Sequence, residues 1–312
     1  MPPSQTRQFL ISLTTLDNDY QQEQAAAAEA AARRLRIKIN IIHADNDATK
    51  QSQQLLEAIQ SPVGSRPAAI VFEPVGTGLP KVAQAAAAAQ IGWVVLNREV
   101  DYIAPLRNIT RAPIFTISTD HVEVGRIQGR QMAALLPSGG TVLYIEGPSG
   151  SSAAQQRSEG METTKPANAE VRKLKGQWTE ESANRAVSSW LRLPTSHTAK
   201  ITLVAGQDDS MALGARKAFE EQTTGAERER WLSLPFIGCD GLPKTGQVAV
   251  SRGLLTATVA IPTNTGLALE MLVNAIRTRI HPAEHTFTVP ESHPALAELG
   301  SKQAKRSSFV QD

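Results

Sequence analysis

Residues 141–161, TVLYIEGPSGSSAAQQRSEGM, decide how the chain reads. The apolar run 142–145 reads as a buried strand, 147–152 as a Gly/Ser loop, and the rest as the opening of a helix. Ser152 and Gln155 have the spacing of a capping box, in which the hydroxyl and the amide satisfy free N–H groups at a helix start. Arg157 follows early in that helix. A cation there opposes the helix dipole by roughly 0.3–1 kcal/mol, so the dipole alone separates a solvated surface arginine from a placed one only weakly. What favours a placed one is repetition: other segments of the chain end a strand in a polar cluster in the same way.

In the first half, apolar runs at 9–13, 37–42, 68–72, 93–96 and 114–118 alternate with helical patterns at 21–35, 49–59, 79–90 and 123–136. Two of the helices are rich in alanine, which favours helix and offers a small-residue face that can lie close to a sheet. The stretch 101–113 has two prolines and no period, and reads as a loop. Gly125 and Gly129, four apart on one helix, suggest close backbone packing rather than chemistry. The second half restarts the rhythm with strands at 142–145, 171–174, 201–205, 235–238 and 255–261. Its helices fall at 181–191, 211–220 and 266–279, with a last strand at 286–289 before a polar tail. Short apolar runs alternating with helices indicate parallel sheets covered on both faces, here in two successive sets.

The chain has 312 residues, enough for one large or two medium domains, with 32 Lys+Arg against 30 Asp+Glu. No basic patch advertises nucleic acid or an anionic membrane. The single cysteine, Cys239, rules out an internal disulfide or a thiolate metal cluster and reads as a small core residue. No apolar run approaches membrane-spanning length. The N-terminus, MPPSQTRQ, has neither a charged n-region nor an apolar h-region, so the expectation is a cytoplasmic protein or a mature chain whose signal has been removed.

Several chemistries have no motif here. There is no P-loop sequence, and Gly76-Thr77-Gly78 runs into Leu79-Pro80 without a third glycine, so it is not a dinucleotide fingerprint. The six histidines lack zinc-site spacing and no G-x-S-x-G elbow occurs, so neither a metal nor a cofactor is expected. In open parallel α/β sheets, ligands bind beyond the carboxyl ends of the strands. The polar residues at those ends are Asn18, Tyr20, Asn97, Arg98, Arg157, Trp178, Asp208 and Asp240. Two arginines against two aspartates make a charge-neutral set, which argues against a phosphate or other polyanion. Amides, carboxylates and guanidinium groups match vicinal hydroxyls, which both donate and accept. Tyr20 and Trp178 offer flat surfaces for a sugar ring. Each residue also has a structural reading: Asn18 and one of Asp208 and Asp209 as helix caps, Asp240-Gly241 as a turn, the aromatics as half-buried packing.

The segments SLTTLDNDY, VVLNRE, STDHVEVGRIQGR, GSSAAQQRSEGM, AGQDDSMALGA and FIGCDG, taken in this order, resemble the type I periplasmic sugar-binding proteins, the ribose-binding-protein family, over about residues 9–289. That family shares its fold with the ligand domains of lac-repressor-like regulators. The resemblance implies an α/β fold of two Rossmann-like lobes with parallel sheets, joined by three hinge crossovers. The lobes would be 1–118 plus 262–288 and 119–261 plus 289–312, closing on a ligand between them. It implies that Asn18 and Tyr20 are first-lobe contacts and that Asn97-Arg98 stands for the family's frequent Asp-Arg pair. It further implies that Arg157 is the second-lobe arginine, Trp178 the stacking aromatic, Asp208 a position often Asn or Asp, and Asp240 the aspartate of a G-x-D-G turn. Asn97 replaces a carboxylate by an amide, Gln21 stands where ribose binders have an aromatic, and Ile261 stands where they often have Gln, with Asn264 nearby. The stretch 101–113 is longer than usual. These departures point away from ribose itself and towards another small sugar or polyol.

The expectation is a monomeric, extracytoplasmic solute-binding protein serving an ABC-type permease or a membrane sensor, with no nucleic-acid partner and no catalysis. Two rivals stand beside it. One is a ligand-sensing domain of a signalling system. The other is a glycoside-processing enzyme using Asp208 and Asp240 as a carboxylate pair, which the neighbouring arginines would oppose by lowering both carboxyl pKa values.

Overall fold

The structure is a computed structural model that describes residues 8–77 and 79–300. The first seven residues, Gly78 of the Gly76-Thr77-Gly78 run, and the polar tail from position 301 lie outside the described residues. In chain order the elements begin with β1 (Gln8–Leu13), α1 (Asp19–Leu35), β2 (Lys38–His43), α2 (Ala48–Gln60), β3 (Ala69–Phe72), α3 (Pro80–Ala88), β4 (Gly92–Leu96), α4 (Ile103–Arg107) and β5 (Ile114–Thr119). They continue with α5 (His121–Leu135), β6 (Gly140–Glu146), α6 (Ser152–Thr164), β7 (Ala169–Lys175), α7 (Glu180–Leu191), α8 (Pro194–Thr198), β8 (Ile201–Gly206), α9 (Asp209–Gln222) and α10 (Gly225–Leu232). The last are β9 (Phe236–Ile237), α11 (Gly246–Ser251), β10 (Thr258–Ala260), α12 (Thr265–Thr278), β11 (His285–Thr288) and β12 (Glu291–His293).

The chain divides into two compact units. Unit 1 takes the residues up to Thr119 together with Thr263–Thr288, and unit 2 takes Asp120–Pro262 and the residues from Val289 onward. The chain therefore passes from one unit to the other three times. Unit 1 is built on a six-stranded parallel sheet in the order β11-β5-β4-β3-β1-β2. Side chains alternate across its faces as the two-residue period of a strand requires. Phe9, Ile11 and Leu13 of β1 join Ala28 and Ala31 of α1 and Leu269 and Leu272 of α12, while Leu10 turns to Leu55 and Ile59 of α2 and Val82 and Ala83 of α3. The alanine-rich helices thus present their small residues to the sheet, as their composition predicts.

Unit 2 holds a four-stranded parallel sheet in the order β7-β6-β8-β9. Leu143, Ile145 and Val204 pack with α7 and α9, and Val142, Tyr144 and Leu203 pack with α5 and α6. The glycines of α5 do bring two backbones together. A Cβ on Gly125 would lie 2.1 Å from the carbonyl oxygen of Arg157, and one on Gly160 of α6 would lie 1.9 Å from that of Val122.

The structure corrects several sequence expectations. The cap of α6 is Ser151, whose hydroxyl accepts from the Ala154 N–H at 3.4 Å, not Ser152, which is already helical; the Gln155 amide donates to the Ser149 carbonyl instead of closing a box. The stretch 101–113 contains α4, which buries Ile103 and Leu106. Pro105 does not break it, because the N–H groups of a first helical turn have no partner inside the helix. Helix α1 begins two residues before the apolar pattern does, so Tyr20 lies within it. The strand at 285–288 is followed by another, β12, which pairs antiparallel with β10 beside the parallel sheet.

Candidate ligand-binding half-sites

In unit 1 the strand order reverses direction between β1 and β3, the place where an open α/β sheet leaves a crevice at its carboxyl edge. Four of the sequence-predicted residues gather at that edge. Asn18 is the N-cap of α1 and accepts from the Gln21 N–H at 3.2 Å, so its capping role is real. Tyr20, two residues on, is buried, and its hydroxyl accepts from the Asn97 side-chain amide at 3.3 Å. Asn97 and Arg98 follow β4 and are both buried. Arg98 donates to the Asn97 carbonyl at 2.7 Å. Asn264, at the start of α12, donates its amide to the Asn97 side-chain oxygen at 2.6 Å.

Sequence reasoning missed the centre of this group. Glu73, directly after β3, is buried, and its Oε2 accepts from Gln21 Nε2 at 2.9 Å and from Asn97 Nδ2 at 3.0 Å. Its Oε1 lies 3.5 Å from Arg98 Nη1. The one available signal was its position at the end of a strand, the same signal that marked Asn97 and Asp208. Within unit 1, then, the one arginine of the predicted set has a carboxylate beside it that the sequence reading did not count.

Unit 2 repeats the design. The reversal falls between β6 and β8, and the loop after β6 and the Gln207-Asp208 step after β8 flank it. Arg157 is buried, not a solvated surface arginine; it donates to the Gln207 carbonyl and, at 3.4 Å, to Nδ1 of His121. Its guanidinium carbon lies 5.4 Å from the centre of the Trp178 ring. That ring rests on the backbone of Gly147, where a Cβ would meet it at 2.2 Å. Gly147 is therefore needed for the aromatic to lie flat. Gln207, also missed, is a hub: its side chain accepts from Gly147 N at 2.8 Å and donates to Ala154 O at 2.9 Å, to Ser158 Oγ at 3.0 Å and to the Tyr144 hydroxyl at 3.1 Å.

Asp208 is the N-cap of α9, accepting from Met211 N at 2.6 Å. Asp240 is held in place by its backbone, which donates to Val259 O at 2.9 Å and accepts from Ile261 N at 2.8 Å. Asn97, Trp178 and Asp240 all have positive φ, 54°, 62° and 101°. Such backbone costs roughly 1–3 kcal/mol per residue and clusters where structure is held for function.

Asp209, not singled out from the sequence, ties the Asp240-Gly241 turn down. It accepts from Gly241 N at 2.8 Å and Thr258 Oγ1 at 2.7 Å, in a space that Gly238 and Gly246 leave open. Burial pushes its carboxyl up to about 7, against the pull of the Thr258 and Gly241 donors and with Asp208 adding to the rise. An unfolded Asp titrates near 3.9. The native state therefore holds a proton that the unfolded state has already lost between these values, and stability falls as pH rises through about 7. The unfolding free energy from urea melts should drop between pH 5 and pH 8 by on the order of 1–4 kcal/mol. Asp209→Asn, which can still accept from Gly241, should flatten that slope; an equal slope in the variant would exclude Asp209 as its source.

Among the described residues no group of three or more His, Cys, Asp and Glu side chains gathers as a metal site. The model of the family described as "Periplasmic binding protein domain" matches residues 9–277. The chain belongs to this periplasmic binding protein family. The family and the relatives found are binding proteins rather than enzymes, and their place is extracytoplasmic. One relative of this periplasmic binding protein is the ribose import binding protein RbsB of Salmonella typhimurium, 32% identical over 155 residues, 49% of each chain. The chain thus spans about half the length of these curated relatives. A galactofuranose binding protein has the same fold, with TM-score 0.78 at 20% identity, covering 96% of this chain and 99% of its own. So does the fructose binding periplasmic domain of a hybrid two-component system, with TM-score 0.76 at 19% identity, covering 98% and 97%.

Proposed function

We propose that the chain captures a small carbohydrate or polyol, with each unit contributing one half-site and Asn18, Tyr20, Asn97, Arg98, Arg157, Trp178, Asp208 and Asp240 as the ligand-facing set. The carrying observation is the Gly147–Trp178–Arg157 stack: a flat apolar face with a guanidinium beside it suits a sugar ring, which has apolar C–H faces and a rim of hydroxyls. The two units act as lobes, divided near 118/119, 261/262 and 288/289. A ligand that touches both lobes only when they close stabilises the closed form by its differential affinity, and no bond is made or broken. The monomer presents that closed form to an ABC-type permease or to a membrane sensor. Ribose, galactofuranose and fructose binders among its relatives and fold neighbours support the ligand class. The fructose binding domain of a two-component system supports sensing as the second reading.

The test is a thermal-shift screen on protein unfolded and refolded to strip any carried ligand, against pentoses, hexoses, inositols, sugar acids and amino acids. A ligand at a hundredfold its Kd adds about 2.7 kcal/mol to the native state and raises Tm. A clear rise with one polyol class is expected. A shift with amino acids alone, or none with any polyol, would overturn the reading.

A further inference from the structure

Among the described residues of unit 1, Glu73 is the one buried carboxylate and Arg98 the one buried cation. The two form an ion pair, Oε1 to Nη1 at 3.5 Å, and each group is held by other contacts as well. The Glu73 backbone N–H donates to Ser12 O at 3.0 Å, and its carbonyl accepts from Gln51 Nε2 at 2.8 Å. The side chain draws in two neutral amides, Gln21 and Asn97. Glu73 is thus fixed at both ends, at the switch point of its sheet, beside two residues of the candidate site. The Asn-Arg pair after β4 carries a positive charge with no carboxylate of its own, and Glu73 supplies the opposite charge from a different strand.

We propose that Glu73 sets the charge selectivity of this half-site: by neutralising Arg98 and orienting the Asn97 amide, it makes the preferred ligand a neutral polyol and turns away the matching sugar acid. The proposal rests on the sugar-binding reading above. A buried arginine without a countercharge would welcome a ligand carboxylate. With Glu73 beside it, a ligand carboxylate meets a like charge that water does not screen, which is how interfaces reject wrong partners. Glu73 acts here as a positioning residue, through Arg98 and Asn97.

The experiment is calorimetric titration of wild type, Glu73→Gln and Glu73→Asp with pairs that share a ring and differ in charge: galactose and galacturonate, glucose and glucuronate, mannose and mannuronate. Wild type should prefer the neutral member. Glu73→Gln should shift the neutral-to-acid affinity ratio by about tenfold or more towards the acid, since one uncompensated buried charge is worth at least that much. Glu73→Asp keeps the charge and should keep the preference, with weaker binding of both members. A folded Glu73→Gln with an unchanged ratio overturns the proposal and leaves the sugar-binding reading intact. Wild type that prefers the acids overturns it without any variant, so the test survives a Glu73→Gln that does not fold. Wild type that binds no sugar of either kind fails the sugar-binding reading and the proposal with it.

Discussion

Arg157→Ala is expected to weaken ligand binding by about 2–5 kcal/mol, the cost of removing one partner from a buried, charge-assisted contact. The side chain is buried, donates to the Gln207 carbonyl and His121, and lies against the Trp178 face. Alanine removes all of these at once, so Tm without ligand will also fall, and affinity must be measured by titration below that temperature. Arg157→Lys separates charge from shape: it keeps the cation but loses the planar fork, and should recover only part of the affinity. An Arg157→Ala protein that folds and binds the ligand as tightly as wild type would remove Arg157 from the site.

Gly125→Ala should be among the most damaging single methyl additions to this chain. Its Cβ would meet the Arg157 carbonyl at 2.1 Å and the Met161 nitrogen at 2.8 Å. Both are backbone atoms of α6, so no rotamer change relieves the clash and the helices must separate. Overpacking of a tight core costs about 1–3 kcal/mol, and a backbone clash belongs at or above the top of that range. The carbonyl it would strike belongs to Arg157, one of the proposed ligand contacts. Gly129→Ala provides the comparison: its Cβ would meet the Thr164 hydroxyl, a side chain that can turn, at 2.2 Å, and backbone only at 2.7 Å (Met161 O) and 2.9 Å (Lys165 N), a milder backbone clash than the 2.1 Å at Gly125. Denaturant melts should rank Gly125→Ala well below Gly129→Ala in stability. Titration should show the larger affinity loss for Gly125→Ala as well. Equal stability of Gly125→Ala and wild type would mean that the two helices are not packed through these glycines.

The alternation of elements was legible because it is local. Most strands of the two parallel sheets are short apolar runs, β7 (AEVRKLK) and β11 (HTFT) being the polar exceptions, and each long helix carries its own period. The errors came where several local choices were equal or where the signal was tertiary. Three residues in the run Gly150-Ser151-Ser152 can cap a helix, and packing rather than sequence selects Ser151. Helix α10, GAERERWL, is mostly polar, and α4, α8 and α11 are too short to show a period. Of the site, the residues that stand alone after strands could be picked out. Glu73 could not be, since the partners that give it meaning, Gln21, Asn97 and Arg98, are 52, 24 and 25 residues away. Asp209 was hidden for the same reason: its partners Gly241 and Thr258 are 32 and 49 residues away.

The return of the chain to unit 1 after residue 262 governs how the molecule is made. When synthesis has reached Thr119, β1 to β5 are complete, but one sheet face is covered by α1 alone and still lacks Ala268, Leu269 and Leu272 of α12. Asn97 lacks the Asn264 amide and Gln24 lacks the Thr265 hydroxyl, bonds that span 167 and 241 residues. Roughly 140 more residues must be made first, on the order of ten seconds of elongation at ordinary rates. During that interval the nascent N-terminal half exposes an apolar surface, the kind that chaperones hold and proteases test. Unit 2 likewise takes its last segment, from Val289 onward, after α12 has been made. The unit that begins the sequence thus waits for a segment made late, and a chain cut short before α12 would leave its opening strands without the helix and the amide that complete them.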